Sequence, residues 1–547
     1  MRIALAQINP VLGDFKANRL KISEFIQRAL MQGCDLVLFP ELTLMGYLPN
    51  DLLERESIID EQLKEFSILK KHLPAGIAVL VGLMTKSGVR IGKPYYNSAA
   101  LLQKGKEPQF FHKELLPTYD VFDEARHIEK GAIKDHFFKF KGRRILLTIC
   151  EDIWGWDLPG HAPNYLENPL VKLRREKVDL VLNMSASPFT IAKEKDRRSV
   201  VAKTAQLFKA PMAYVNMIGG QDEIVFDGGS FAVNAKGQTV LQCLHFEEDF
   251  CIFDLEEPLA LKKRPALSEA KKNALNATEK IRRALVLGIK DYVRKTGFEK
   301  VHLGLSGGID SAVVACLAVE ALGPENVTVF TLPGPYNEER SRKLAEAQAA
   351  NLGIRCLNLS IDESYEVLLR SLKVALGDFE FSAVNENLQS RLRGLMLMAF
   401  SNKEKSMLLT TGNKCEYATG YATLYGDMCG GLAPIADLLK GQVYALADCY
   451  NQERTVIPVD VITRPPSAEL RPNQRDQDSL PPYADLDESV RRIVELRKPA
   501  RTATDRWLLG ILSRTEFKRW QAAPIIKISG HAFGRGRRMP IAQRTCV

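Results

Sequence analysis

Two groups of residues in this 547-residue chain have the types and spacing for bond-making chemistry. Glu41, Lys113 and Cys150 each stand where a strand is expected to end; Cys150 follows the apolar run RILLTI (144–149) and precedes Glu-Asp. A nucleophilic cysteine needs a base for its proton and a cation for the oxyanion that its attack creates. Glu41 is a candidate for the first role and charged Lys113 for the second. The strand end is expected to expose the thiol at a sheet edge. Without such partners, Cys150 would be an inert packing residue. A pairing of Cys150 with His112 is the rival, but adjacent side chains of an extended segment point to opposite faces.

The second group is SGGIDS (306–311), set between the apolar strand VHLGL and a helix whose Val313, Val314, Leu317 and Ala318 recur at helical spacing. Ser306, Gly307 and Gly308 lack bulk, so their N–H groups can converge on phosphate at a helix N-terminus. No Gly-Lys-Ser/Thr follows, so this is not a Walker A loop. Asp310 beside such a loop suits Mg²⁺, which takes one or two carboxylates plus phosphate oxygens. Read by itself, the loop is equally a glycine turn with Asp310 capping the helix.

The elements that must position these residues alternate between strand and helix. In the first half, strands are expected at 3–8, 35–39, 77–84, 96–102, 144–149, 178–184, 212–217, around 230–242 and at 250–254. Helices fall near 18–32, 57–71, 168–177 and 195–209, giving a layered α/β domain over 1–255. Residues 256–275 are charged and proline-bearing and read as a linker into a helix over 276–295. A second domain, 276–547, continues with strands at 301–305, 327–332 and 355–360 and a helix over 338–352. That βαβαβ order predicts a doubly wound parallel sheet with ligands at the carboxyl ends of its strands.

Composition bounds the rest. Apolar residues make up 46% and charged residues 26%, as in ordinary globular chains. No run approaches the ~20 apolar residues of a membrane span, and no signal-peptide pattern opens the chain. The ten cysteines show no C-x-x-C pair or zinc spacing, which predicts reduced thiols in a cytoplasmic protein. A formal charge of +9 is modest for this length, and with no nucleic-acid motif present it suits anionic small substrates.

The words around these residues resemble known families. SGGIDS is similar to the signature of the PP-loop ATP pyrophosphatases, which split ATP between its α and β phosphates to adenylate a substrate oxygen. FPELTLMGY around Glu41, HKELLPTYDVFDE around Lys113 and LTICEDIW around Cys150 resemble the nitrilase, or carbon–nitrogen hydrolase, superfamily. That resemblance implies an α-β-β-α sandwich with a Glu41–Lys113–Cys150 triad. It also implies glutamine contacts from Tyr119, Glu151, Ser187 and Lys193, with Glu124 as an auxiliary carboxylate. Lys193 stands where some members carry Arg, and so lacks the bidentate fork.

In the second half, ENLQSRLRG (386–394), the glycine-rich stretch 407–431, the proline-rich acidic stretch 466–488 and the basic tail 518–541 resemble the NAD synthetase family. With the first half they resemble its glutamine-dependent branch over essentially the whole chain. The resemblance implies an adenine nucleotide α-hydrolase-like fold, with ATP on Ser306, Gly307, Gly308, Ile309, Asp310, Ser311, Thr411 and Lys440. It implies deamido-NAD on Asn387, Arg391, Glu416, Asp427 and Lys518, Mg²⁺ on Asp310 and Glu416, and a homo-oligomer. Two positions depart from the family pattern: Pro335 and Trp520 stand where arginine is usual. The expected activity is ATP-dependent amidation of deamido-NAD with nitrogen from L-glutamine or ammonia. The alternatives are an amidotransferase acting on another acid, or an amidase carrying a nucleotide-binding regulatory module.

Overall fold

The computed structural model describes residues 1–158, 164–256 and 275–543. The chain folds as two compact units, Met1–Gln221 with Val225–Ala274, and Asp222–Ile224 with Leu275–Val547. The expected linker 256–275 lies outside the described residues, apart from Glu256 and Leu275.

The first unit is built on two six-stranded sheets. One uses β1 (Arg2–Gln7), β2 (Leu36–Leu38), β3 (Ala78–Lys86), β4 (Tyr95–Gln103) and β5 (Gln109–His112). The other uses β6 (Phe137–Phe140), β7 (Arg143–Ile149), β8 (Leu180–Ser185), β9 (Met212–Asn216), β10 (Phe231–Val233) and β11 (Thr239–Gln242). The last strand, β12 (Asp249–Asp254), returns to the first sheet. Their orders are β12-β1-β2-β3-β4-β5 and β11-β10-β9-β8-β7-β6.

Alternation along each strand sends one set of side chains between the sheets and the other set outward. Ile3, Leu5, Leu147, Ile149 and Leu182 meet in the shared core. Ala4 and Ala6 face Ile22, Phe25, Phe66 and Leu69 of α1 (Phe15–Met31) and α2 (Glu56–Lys71). Leu146, Val181 and Tyr214 face Val200, Val201 and Phe208 of α3 (Lys193–Phe208). The result is the expected α-β-β-α sandwich. Asp14 starts α1 by accepting the Ala17 N–H at 3.0 Å, a capping contact worth about 1 kcal/mol.

The second unit carries a parallel sheet of β13 (Lys300–Gly304), β14 (Val327–Thr331), β15 (Arg355–Asn358) and β16 (Ser406–Leu408), in the order β15-β14-β13-β16. The helices are α4 (Ala277–Lys295), α5 (Ile309–Leu322), α6 (Glu339–Leu352) and α7 (Ala383–Glu404). Phe330 and Leu408 pack on Leu397 of α7, and the alternate Val301, Leu303, Val327 and Val329 are buried on the opposite face. Both faces being covered explains why β13 and β14 read as near-continuous apolar runs, whereas β15 at the sheet edge does not. The strand order reverses between β13 and β16, so the loops leaving these two strands flank a crevice at their carboxyl ends.

Three expectations need correcting. The helix expected near 168–177 spans only Pro169–Lys172, capped by Leu173, because the charged 174–177 stretch turns instead of continuing it. α5 buries more than the expected stripe of Val313, Val314, Leu317 and Ala318: Ala312, Ala315 and Cys316 are buried as well, since helices and sheet enclose it. The short strands β5 and β6 were not among the expected elements, four residues being too few to show a period.

Candidate active sites

In the first unit three strand ends converge. Glu41 follows β2, Lys113 directly follows β5, and Cys150 directly follows β7. Lys113 Nζ donates to Glu41 Oε1 at 2.7 Å and to Glu124 Oε1 at 2.8 Å. The Glu41 carboxylate also accepts from Asn97 Nδ2 at 2.7 Å and from the Ala186 N–H at 3.0 Å. Tyr47 donates to Glu124 Oε1 at 2.7 Å, while Glu124 Oε2 is buried with no hydrogen-bond partner among the described residues. Burial opposes the charge on Lys113, but Glu124 and Glu41 outweigh it and hold the ammonium well above its ordinary range. Burial also drives Glu124 up to about 7, with Glu41 adding to the rise and Lys113 opposing it.

The Cys150 thiol is buried, 6% exposed, rather than exposed at a sheet edge; β7 is an inner strand and the turn after it folds the residue inward. Burial first, and the Glu41 charge second, push this thiol well above an ordinary cysteine, with Lys113 pulling the other way. Cys150 therefore rests as a neutral thiol beside a carboxylate and attacks only as its proton leaves. Its φ of 42° is in the left-handed region that non-glycine residues seldom adopt. Asp152 fixes this turn: Oδ2 accepts the Ile149 N–H at 2.9 Å, and Oδ1 accepts those of Glu114 and Leu115 at 2.9 and 3.0 Å. One carboxylate thus ties the nucleophile's turn to the lysine's loop, a link without a sequence signal. His112 turns away, stacked 4.2 Å from Tyr96 with Nδ1 2.8 Å from Ser98 Oγ. Burial lowers it to about 4, and the rival Cys–His pairing is not formed.

Around the triad, Tyr119 and Tyr165 both donate to Glu151 Oε1 at 2.9 Å. Lys193 Nζ lies 3.7 Å from the centre of the Trp154 ring. Burial raises Glu151 and lowers Lys193, and each partly compensates the other. Ser187 Oγ accepts from Arg197 Nε at 3.1 Å, and Arg197 pairs with Asp227 at 2.6 Å. Tyr165 and Arg197 are additions to the residues expected from sequence.

In the second unit, residues after β13 and β16 line a cavity of about 460 Å³. It brings together Ser306, Gly308, Ile309, Asp310, Ser311, Thr411, Glu416, Lys440, Asn387, Asp427 and Lys518. Two expected residues are not on its wall. Gly307, at φ 78°, instead presses on α6, where a Cβ would stand 2.3 Å from Ser341 O. Arg391 is exposed on α7 and donates to Leu424 O at 3.2 Å, beside the Thr423 hydroxyl that Asn387 Oδ1 accepts at 2.7 Å. The loop's N–H groups do not all converge: those of Ser306 and Gly308 are taken by Ser311 Oγ and Ser306 Oγ, each at 3.2 Å.

Lys440 Nζ meets Asp310 Oδ2 at 2.5 Å, and Asn413 Nδ2 donates to Asp310 Oδ1 at 3.0 Å. Asn413 also caps its own helix, accepting the N–H groups of Cys415 and Glu416. Burial, and then the Asp310 charge, push Glu416 well above the carboxylate range. Burial opposes the charge on Lys440, yet Asp310 and Glu416 hold it above its ordinary range. A buried carboxylate penalised by its neighbour in this way suits a dication between the two.

Asp427 accepts from the Thr423 N–H at 2.7 Å and is raised by burial; Lys518 donates to Gly420 O and Ala422 O at 2.8 and 2.7 Å and is lowered by burial. Pro335 is exposed and off the wall, whereas Arg342, Arg393 and Arg464 line the cavity. Arg393 is held by Leu332 O at 2.9 Å and Asn337 Oδ1 at 2.7 Å, and burial lowers it to about 10. Asp476, another unexpected lining carboxylate, accepts from Tyr483 at 2.8 Å. Trp520 is exposed and donates to Met539 O at 3.0 Å.

Comparison with known proteins gives the same two halves. A family model described as carbon–nitrogen hydrolase matches residues 2–260, and one described as NAD synthase matches residues 281–521. A thiol amidohydrolase sandwich joined to an ATP-pyrophosphatase sheet defines a ligase class that generates its own nitrogen. The glutamine-dependent NAD(+) synthetase of Synechocystis is 44% identical over 99% of this chain and 98% of its own length. That of Thermotoga maritima is 40% identical over 100% and 99%. Among solved structures, glutamine-dependent NAD+ synthetase from Acinetobacter baumannii, in complex with adenosine diphosphate, is 34% identical over 99% of this chain and 98% of its own, with a TM-score of 0.76. The chain belongs to the glutamine-dependent NAD(+) synthetases.

Proposed function

We propose that the chain makes NAD+ from deamido-NAD+, ATP and L-glutamine, with the two chemistries divided between Cys150 and the cavity behind the 306–311 loop. The observation that carries this reading is the buried Glu41–Lys113–Glu124 cluster beside the Cys150 thiol. Cys150 Sγ attacks the side-chain amide carbon of glutamine as Glu41 takes the thiol proton. Lys113 Nζ faces the oxygen that becomes negative, in a site dry enough to make that contact strong. Glu41 returns the proton to the leaving nitrogen, and ammonia departs from a thioester. Water, activated by the same carboxylate, releases glutamate and restores the thiol. Tyr119, Glu151, Ser187 and Lys193 hold the amino-acid end of the substrate.

The ammonia is consumed in the second unit. There Ser306, Gly308, Ile309, Ser311, Thr411 and Lys440 hold ATP, and Asn387, Glu416, Asp427 and Lys518 hold deamido-NAD+, with Arg391 approaching it from outside the cavity wall. The nicotinate carboxylate attacks the α-phosphorus and pyrophosphate leaves toward the glycine loop; Gly307 sets the turn of that loop. Ammonia then displaces AMP from the acyl adenylate. Asp310 and Glu416 would hold Mg²⁺, which supplies charge neutralisation for the phosphates when bound. Arg393 and Arg464 add cationic wall where Pro335 provides none.

The boundaries proposed are 1–255, a linker over 256–275, and 276–547. A cytoplasmic homo-oligomer is proposed as well; among the described residues no helix is long and apolar enough to cross a membrane. Replacing Cys150 with Ala tests the division of labour. Glutamine-driven synthesis should fall at least about a thousandfold while synthesis from added ammonium salt persists. Loss of both in a folded variant contradicts separate sites. Testing deamido-NAD+ against xanthylate separates this reading from an amidotransferase for another acid.

A further inference from the structure

A second cysteine cluster lies at the edge of the sandwich and shares no residue with the Cys150 site. β11 is the edge strand of one sheet and β12 the edge strand of the other. Cys243 directly follows β11, Cys251 lies on β12, and with Leu241 and Phe253 they join the core between the sheets. Cys243 is 2% and Cys251 8% exposed, whereas Asp249, at the start of β12, is partly exposed. The two Sγ atoms and an Asp249 carboxylate oxygen all lie within 4.8 Å of one another.

We propose that Cys243, Cys251 and Asp249 bind a thiophilic divalent cation of the zinc class, which fastens the two edge strands together. Sulfur at ~2.3 Å and oxygen at ~2.1 Å from a tetrahedral centre stand about 3.6 Å apart. Cys251 Sγ and Asp249 Oδ2 are 3.5 Å apart. The carboxylate is also oriented in advance: Oδ2 accepts the Leu244 N–H at 2.8 Å and Oδ1 the Phe250 N–H at 2.7 Å. Such backbone bonds to a carboxylate are what orients a metal ligand. Gln242 O, 4.0 Å from Cys251 Sγ, or a water can take the fourth position.

Two thiolates select zinc over magnesium or calcium, which prefer oxygen. On binding, both thiols give up their protons to solvent and no electrons move. His245 completes an apparent C-x-H-x3-D-x-C word, but its ring faces Asp227 and Glu194 at 3.5 and 3.8 Å. The ligands are therefore the residues that the fold brings together, and the seven-residue gap between the cysteines matches no zinc-finger spacing.

The test uses the full chain carrying Cys150→Ala, kept reduced, so that the nucleophile does not take up the probe. Titration with Co²⁺ should give one equivalent with a thiolate-to-cobalt charge-transfer band that Zn²⁺ abolishes. Cys243→Ser and Cys251→Ser should each remove the band, and Asp249→Asn should weaken binding at least about tenfold. Zn²⁺ should also raise Tm by at least about 2–4 °C, reversed by chelator, and protect Cys243 and Cys251 from alkylation. Those last two readouts decide the matter if the serine variants do not fold. The proposal is overturned if no band forms, if the band survives Cys243→Ser with Cys251→Ser, or if Zn²⁺ neither raises Tm nor protects the two thiols. A Cys243–Cys251 disulfide with no metal uptake in reducing buffer overturns it as well.

Discussion

Glu41, Lys113 and Glu124 are sealed from solvent, whereas Asp310, Glu416 and Lys440 line a cavity of about 460 Å³. Both clusters set two carboxylates around one lysine, but they complete their charge differently. In the first, every charge is supplied by the protein: Lys113 is hydrogen-bonded to both acids, and burial leaves Glu124 near neutrality's edge at about 7. Such a site suits a substrate whose reacting end is a neutral amide. In the second, Glu416 is penalised by burial and by Asp310, and the cavity is ringed by arginines. In the proposed reading, phosphates and a cation complete that arrangement. A closed site makes its own field, and an open one borrows part of its field from the substrate.

The comparison breaks most readily at Lys113. Lys113→Met should lower glutamine hydrolysis at least about a thousandfold by removing the oxyanion partner. Because it strands buried carboxylates, it should also cost about 3–5 kcal/mol in denaturant unfolding. Unchanged stability would show that the cluster is not closed as described. Next in size is Asp310→Ala. NAD+ formation should drop at least about a hundredfold with glutamine and with ammonium alike. Glutamine hydrolysis in the same preparation should stay within about threefold, measured as glutamate release.

Glu124 gives a smaller, pH-dependent effect. Its folded pKa is raised, so between about pH 4.5 and 7 the folded state keeps a proton that the unfolded chain has lost. This group therefore favours folding at the acid end of that window and progressively less as pH rises through it. Glu124→Gln should flatten the stability–pH slope across that window. An unaltered slope in urea unfolding from pH 5 to 8 would contradict the assignment. The smallest effect is expected on α7. Arg391→Ala, at an exposed side chain, should change the KM for deamido-NAD+ only about two- to fivefold. Arg393→Ala, which empties a buried cavity wall, should cost more than tenfold in kcat/KM.

These last two arginines show where reading from sequence stops. They sit two residues apart on one helix, and only the fold decides which one faces the cavity. Arg393 and Asp152 were invisible for the same reason: each acts through a partner distant in sequence. The triad was legible from the apolar run that ends directly before Cys150 and from the words around Glu41, Lys113 and Cys150, whereas the short strand ahead of Lys113 left no period to read. α5 was misjudged because alanine and cysteine at 312, 315 and 316 look neutral in a periodicity but fill a face packed on all sides. The depth of Cys150 was misjudged because a strand end gives no hint of the second sheet covering it.

The central claim is that nitrogen freed by Cys150 ends in a dinucleotide amide formed through an adenylate. The most direct measurement incubates purified protein with deamido-NAD+, Mg·ATP and isotopically amide-labelled glutamine, and resolves every product. Labelled NAD+, AMP and pyrophosphate should appear in equal amounts, with glutamate at least equal to them. ADP in place of AMP, or glutamate released with no label reaching the dinucleotide, would contradict it.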